Sequence, residues 1–204
     1  TPHFSITQLI SCAKGYAYSH NGRNIDITDD HLKSTLRKSK IGFVFQDKNL
    51  HEYLTIEENL KLYCLIAGLE YTQEKANTLL EKVHLTIDPQ TKTEVLSGVE
   101  KQRLAIACAL IKEPDIIIAD EPTGNLDSEN SHELLMLLKK LNEDYQTTII
   151  MVSHDPFIAS YSSRLVYIKD GYIEQMIKRE SLTQDEYFQK IVELNSAESR
   201  RHFQ

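Results

Sequence analysis

The 204-residue sequence is poor in the residues that form disulfide frameworks, zinc sites and membrane spans. It has three cysteines, seven glycines and no tryptophan. Cys12, Cys64 and Cys108 are far apart and form no C-x-x-C pair, which favours buried thiols in a reducing compartment over a disulfide or metal scaffold. No apolar run approaches the roughly 18–20 residues of a membrane helix, and the N-terminal residues lack the basic segment of a signal peptide. We therefore expect neither a membrane helix nor a signal peptide in this sequence.

Positive charge is also in short supply. The sequence has 23 Lys and Arg against 30 Asp and Glu, which gives a formal net charge of −7. Binding to nucleic-acid backbones depends on clustered Lys and Arg, so this composition argues against a nucleic-acid partner. Hydrophobic residues make up 41% and charged residues 26%, as in ordinary soluble proteins. A chain of this length can form one domain, with or without an inserted subdomain.

Hydrophobic patterning predicts strands that alternate with helices. Continuous apolar segments predict buried strands at 41–46, 115–119 and 147–152, and the Asp170-Gly171 turn predicts a hairpin of 164–168 with 172–177. Helical patterns cover 55–67, 71–83, the stretch from Ser97 to before Pro114, and 130–143. Such an alternation indicates an α/β fold with a parallel sheet covered on both faces, and the all-helical stretch 51–113 is interpreted as an insertion into it.

Two adjacent carboxylates, Asp120 and Glu121, end the apolar strand 115–119. Open α/β sheets bind ligands at the carboxyl ends of their parallel strands. Adjacent residues of a strand point to opposite faces, so one carboxylate can hold Mg²⁺ through water while the other faces an attacking water. The alternative is a pair of solvated turn acids before Pro122.

Five short segments complete this pattern, and their order is informative: Gln46, residues 96–103, Asp120 with Glu121, residues 124–127, and His154. The ordered set resembles the nucleotide-binding subunit of ABC transporters, with its Q-loop, signature, Walker B, D-loop and H-loop. Segments 42–50, 119–127, 148–156 and 160–188 are similar to the antimicrobial-peptide branch of bacitracin-efflux type, which pairs with FtsX-like permeases. The resemblance implies a P-loop NTPase-like parallel-sheet core with an inserted helical subdomain.

The resemblance also implies a role for each residue at the sheet edge. Gln46 would contact Mg²⁺ or the attacking water, and Asp120 would hold Mg²⁺. Glu121 would be the general base and His154 would hydrogen-bond the γ-phosphate of ATP. Asp127 would cross the interface to a second ATPase subunit, although a helix N-cap is an alternative and both roles are compatible.

The signature segment has a simple structural interpretation as well. Ser97 and Glu100 have the spacing of a capping box, which marks the start of a helix. By resemblance, Ser97, Gly98, Val99 and Glu100 would bind phosphates of ATP held by the opposite subunit, since a helix N-terminus offers N–H groups to anions. The sequence departs from the family at Val99, where a second glycine is usual and a Cβ hinders close approach of phosphate.

The phosphate-binding motif of the family is missing from the printed sequence. The P-loop, G-x-x-x-x-G-K-[ST], requires two glycines five residues apart. No such pair occurs among Gly15, Gly22, Gly42, Gly68, Gly98, Gly124 and Gly171. Segment 4–12 resembles the helix that follows the P-loop, so the sequence predicts an N-terminally truncated or degenerate member. It also predicts an open position in the sheet beside strand 115–119.

These observations lead to a set of expectations for organisation and function. Residues 1–46 would form a partial N-terminal part of the ATPase core, 47–105 the helical signature subdomain, and 106–204 the rest of the core with a terminal hairpin and helix. The implied activity is Mg²⁺-dependent ATP hydrolysis between two head-to-tail subunits, powering peptide-antibiotic export or resistance at the cytoplasmic face of a bacterial plasma membrane. The alternative is a non-hydrolysing subunit that only docks on a permease or partner. A DNA-repair or translation ATPase is disfavoured by the acidic balance.

The contact with an FtsX-like permease is expected at residues 46–54. This segment leaves the core strand for the helical insertion, and His51 and Tyr53 are predicted to face outward from it. In the family that the sequence resembles, this junction helps to form the groove that receives a helix of the permease, so the resemblance implies that apolar and aromatic surface there contributes to docking. The alternative is that Tyr53 and Leu54 only pack against the helix that Thr55 caps.

Overall fold

A computed structural model describes residues 18–20, 23–25, 34–35, 38–46, 49–169 and 171–201. The predicted helix at 4–12 lies outside these residues. The chain divides into two compact units, 1–152 and 153–204. The described strands and helices of the first unit are β1 (Tyr18–His20), β2 (Arg23–Ile25), β3 (Ile41–Val44), α1 (Ile56–Ala67), α2 (Gln73–Lys82), a 3₁₀ turn (Thr93–Val95), α3 (Gly98–Leu110), β4 (Ile116–Asp120), α4 (Ser128–Tyr145) and β5 (Thr148–Val152).

The centre of the first unit is a parallel sheet in the order β3-β4-β5. Ile41 pairs with Ile116, which pairs in turn with Thr148. The parallel sheet and its helices confirm the predicted α/β fold. The open position predicted beside strand 115–119 was wrong, because β4 has a strand on each side and β5 is the terminal strand among the described residues.

Helix α3 packs closely on strand β3, and Gly42 makes this contact possible. A Cβ at Gly42 would lie 2.9 Å from the carbonyl oxygen of Ala109 and 3.2 Å from Cγ of Pro114. Such distances leave no room for a side chain, so glycine lets the backbone of the strand lie close to the backbone of the helix. Leu104 and Ile106 of α3 are fully buried in the same core.

Helix α1 begins and ends on local signals that the sequence carries. Thr55 accepts a hydrogen bond from the N–H of Glu58, whose carboxylate accepts from the N–H of Thr55, so the predicted capping box is present. The helix ends at Gly68 in the left-handed conformation, with φ 70°. Helices α2 and α4 are followed by His84 and Gln146, which adopt the same conformation without being glycine.

Residues 51–113, all of which are described, form helices and turns, and none belongs to the parallel sheet. One isolated antiparallel bridge joins Thr55 to Lys92. Beside it the amide of Asn59, whose side chain is fully buried, bonds to Thr93 and to the backbone of His51. The loop before α1 is thereby joined to the segment that leads into α3. The limits 47–105 of the helical subdomain remain a prediction.

The second unit contains α5 (Pro156–Ala159), β6 (Arg164–Lys169), β7 (Tyr172–Lys178) and α6 (Gln184–Arg201). Strands β6 and β7 form the antiparallel hairpin that the sequence predicts, with Lys169 opposite Tyr172. Tyr187 of α6 is fully buried and its hydroxyl donates to the carbonyl of Ile177, 3.2 Å away. Within the described part of the chain, no helix has the length and apolarity to cross a membrane.

Candidate functional site

The two predicted carboxylates lie where strand β4 ends, but only Asp120 belongs to the strand. Glu121 has φ 43°, a left-handed conformation that is rare for residues with a side chain. Its N–H donates to the carbonyl of Val152 and its own carbonyl accepts from the N–H of Gly124, at 3.0 Å each. The direction of Glu121 is therefore set by a turn, and the alternation of strand side chains does not govern it.

The structure brings Gln46 and Glu121 together around Gly124. A Cβ at Gly124 would lie 3.3 Å from Nε2 of Gln46, 3.4 Å from the carbonyl oxygen of Glu121 and 3.6 Å from its Cβ. The glycine thus leaves space in which the amide approaches the turn that carries the carboxylate. His154 is the second residue of the other compact unit and is exposed.

The residues at this edge provide oxygen ligands. Asp120 supplies a half-exposed carboxylate and Gln46 an exposed amide oxygen. Magnesium prefers such hard oxygen donors and usually keeps several waters, so one or two protein ligands suffice. The chemistry of these donors fits Mg²⁺, and the magnesium site itself stays a prediction.

A second group of predicted residues lines a cleft of about 500 Å³ in the first unit. This volume is within the roughly 300–1,000 Å³ of small-molecule sites. Residues from the predicted signature segment 96–103, from the segment 124–127 and from the turn after α2 line this cleft. Its lining includes His84, Ser97, Gly98, Val99, Glu100, Arg103, Asn125, Asp127 and Glu133.

Two capped helix N-termini meet at this cleft. Ser97 caps α3: its hydroxyl oxygen accepts from the N–H of Glu100 at 3.3 Å. The carboxylate of Glu100 in turn accepts from the N–H of Ser97 at 2.7 Å. Asp127 caps α4 by accepting from the N–H of Asn130 at 2.9 Å and from its side chain at 2.7 Å. Both bonds lower the pKa of Asp127, and the bond from the backbone N–H of Asn130 has the larger effect. Both capping interpretations are thus present in the structure.

The departure at Val99 lies in the first turn of α3, next to the exposed Ser97 and Gly98. Val99 is half-buried and lines the cleft. Anion binding by the N–H groups of this turn stays a prediction.

Sequence reasoning assigned no role to Arg103 and Glu133, which also line the cleft and are joined at 2.9 Å. Arg103 is printed within segment 96–103, but its partner is 30 residues further along and on another helix. No local spacing signals such a pair.

Comparison with known proteins places this chain in a family. The profile described as ABC transporter matches residues 5–124, which is more than half of the chain. The chain belongs to the ABC transporter family. It is an ATP-binding domain of that family.

Several relatives share the domain. The ABC transporter ATP-binding protein MJ0796 of Methanocaldococcus jannaschii is 38% identical over 84% of this chain and 77% of its own length. The bacitracin export ATP-binding protein BceA of Halalkalibacterium halodurans is 39% identical over 76% of this chain and 62% of its own. The macrolide export ATP-binding/permease protein MacB of Aggregatibacter actinomycetemcomitans is 42% identical, and the chain spans only 27% of its length.

A solved structure agrees with this assignment. The MJ0796 cassette, in a dimeric post-hydrolysis state bound to ADP and Pi, superposes with a TM-score of 0.66 and 35% identity over 80% of this chain and 73% of that one. The predicted ABC ATPase fold is therefore confirmed.

Proposed function

We propose that this chain is part of an ATPase subunit that hydrolyses Mg-ATP between two head-to-tail cassettes and drives an FtsX-like permease. The transported class would be peptide antibiotics, and the subunit would lie on the cytoplasmic face of the membrane. The likeness to the bacitracin exporter BceA supports the branch. The dimeric state of the MJ0796 cassette supports the pairing.

The observation that carries the proposal is the convergence of Gln46 and Glu121 on Gly124. Glu121 would accept a proton from the attacking water, and Gln46 would orient that water. His154 would donate a hydrogen bond to the γ-phosphate. Asp120 and Gln46 would hold Mg²⁺, which supplies charge neutralisation for phosphate when bound.

The cleft between the two capped helices would serve the partner cassette. Ser97 and the first-turn N–H groups of Gly98, Val99 and Glu100 would bind phosphate that the partner presents. Asp127 would reach the partner while it caps α4. The polar lining and the size of the cleft support this assignment.

The permease would dock at residues 46–54. Tyr53 is 84% exposed, which favours docking over packing against α1. Its loop is held firmly: Lys92 donates to the carbonyl of Tyr53 at 2.8 Å, and the N–H of Thr93 donates to the carbonyl of Leu54 at 2.9 Å. A rigid loop with an exposed aromatic side chain is suited to an apolar partner surface.

The test compares ATP turnover of the protein purified from its own gene with that of Glu121→Gln. The variant keeps size and loses the carboxylate, so we expect turnover to fall at least about a hundredfold. Glu143→Gln, an exposed acid on α4, is the matched control and should be active. Equal turnover of wild type and Glu121→Gln would refute the role.

The same assay addresses the alternative of a non-hydrolysing docking subunit. That alternative is favoured by one observation, the absence of P-loop glycine spacing in the printed sequence. Residues 1–204 made alone should therefore hydrolyse no MgATP. A protein from its own gene that captures the permease without hydrolysing ATP would establish the alternative.

A further inference from the structure

Arg103 of α3 is a nearly buried cation with two protein acceptors. Its Nη1 donates to the carbonyl of Val83 and its Nη2 to a carboxylate oxygen of Glu133, each at 2.9 Å. The Arg103 side chain is 11% exposed and that of Glu133 is 55% exposed. Both terminal nitrogens of the guanidinium thus have an acceptor within the protein.

These two bonds join three helices. Val83 is the C-cap residue of α2. The last carbonyls of a helix have no intrahelical partner, and a cation near them is favourable. Glu133 lies on α4, in the second turn after the cap Asp127. Arg103 itself lies on the helix that Ser97 caps. All three helices end at the same cleft.

We propose that Arg103 is a positioning residue that holds the Ser97 and Asp127 helix ends at a set distance across the cleft. The inference rests on the proposed function, in which both ends meet a partner cassette. In this role Arg103 acts through α2 and α4, because Nη1 donates to the carbonyl of Val83 and Nη2 to the carboxylate of Glu133. Direct contact of Arg103 with phosphate is the competing role, and the second measurement below tests it.

The distance between the two helix ends tests this directly. Spin labels on Glu94→Cys and Ser128→Cys, both exposed positions, report it in a Cys12→Ser background of residues 1–204. Cys64 and Cys108 are buried and escape labelling. Measured well below the melting temperature, Arg103→Gln and Glu133→Gln should each broaden or shift the distance distribution. Arg103→Lys should restore it in part.

The control is the exposed pair Lys139 and Glu143 on the same helix. Glu143→Gln should leave the distance unchanged. An unchanged distance in Arg103→Gln, with only a lower melting temperature, would reduce Arg103 to a stabilising role and overturn the proposal.

A second measurement separates positioning from direct phosphate binding. MgATP-dependent pairing with a cassette that carries a P-loop should weaken about tenfold in both Arg103→Gln and Glu133→Gln. Weakening in Arg103→Gln alone would mean that Arg103 contacts phosphate, and the proposal would be wrong. Altered distances in variants whose wild type shows no MgATP-dependent pairing would support the positioning role and refute the proposed function.

Discussion

Asn59 offers a sharp test of how the helical insertion is held together. Its side chain is fully buried, and its amide nitrogen lies 3.0 Å from the carbonyl of His51, 3.0 Å from that of Thr55 and 2.9 Å from Oγ1 of Thr93. Its amide oxygen accepts from the N–H of His51 at 3.0 Å. One side chain thus joins the loop before α1 to the segment before α3.

Asn59→Ala should destabilise the fold by about 2–6 kcal/mol. The two carbonyls each keep a backbone bond, from Leu54 to His51 and from the Asn59 N–H to Thr55. The N–H of His51 and the hydroxyl of Thr93 lose the amide as their partner, and each unsatisfied group costs about 1–3 kcal/mol. Since domains are stable by only about 5–15 kcal/mol, this is a large fraction.

Urea unfolding measures the change, and hydrogen exchange of the His51 amide gives a local readout. Asn77→Ala is the matched control, because Asn77 is an exposed helical amide that accepts from Gln73 at 3.1 Å. Adding Thr93→Val to Asn59→Ala should recover part of the loss, because the orphaned hydroxyl is removed. A loss below about 1 kcal/mol, with unchanged exchange at His51, would refute this account.

Three further results are expected. Gly42→Ala should cost about 1–3 kcal/mol in urea unfolding, because its Cβ meets the carbonyl of Ala109 at 2.9 Å; an unchanged midpoint would contradict the packing. The lowered pKa of Asp127 means that its ionised form stabilises the fold above about pH 3.9, and that this is lost as pH falls through the folded-state pKa. Melting-temperature differences from Asp127→Asn should accordingly shrink below pH 4, and a constant difference would contradict the cap bond to Asn130. Tyr53→Ala should weaken permease capture about tenfold with little change in melting temperature, since the side chain is 84% exposed; unchanged capture would remove the docking surface.

Local signals in the sequence were sufficient for most of the fold. The capping boxes at Thr55 and Ser97 and the apolar run before Asp120 each depend on residues close together in sequence. The order of strands is a long-range property, and the predicted gap beside β4 was wrong for that reason. Nothing in the run of residues Ile116–Asp120 indicates that β5 pairs on its far side.

The candidate site shows the same division. The order of the motifs predicted Gln46, Glu121 and Asp127 as site residues, because each lies next to the end of a strand or the start of a helix. It did not show that Glu121 leaves the strand with a left-handed backbone, because that conformation is imposed by the turn to Gly124. It did not reveal the Arg103–Glu133 pair, since helix packing brings these residues together.

The scarcity of glycine has a practical consequence for engineering the protein. Helix α1 ends on Gly68, whereas α4 ends on Gln146 with φ 55°, a geometry that costs a residue with a Cβ about 1–2 kcal/mol. A glycine there would relieve this strain and lose about 0.4–1 kcal/mol to the greater freedom of the unfolded chain. Nε2 of Gln146 also donates to the carbonyl of Glu143 at 2.9 Å, and a glycine would lose this bond, which is worth about 0.5–1.5 kcal/mol. The side-chain bond therefore offsets most of what a glycine would gain, so α4 can end without one.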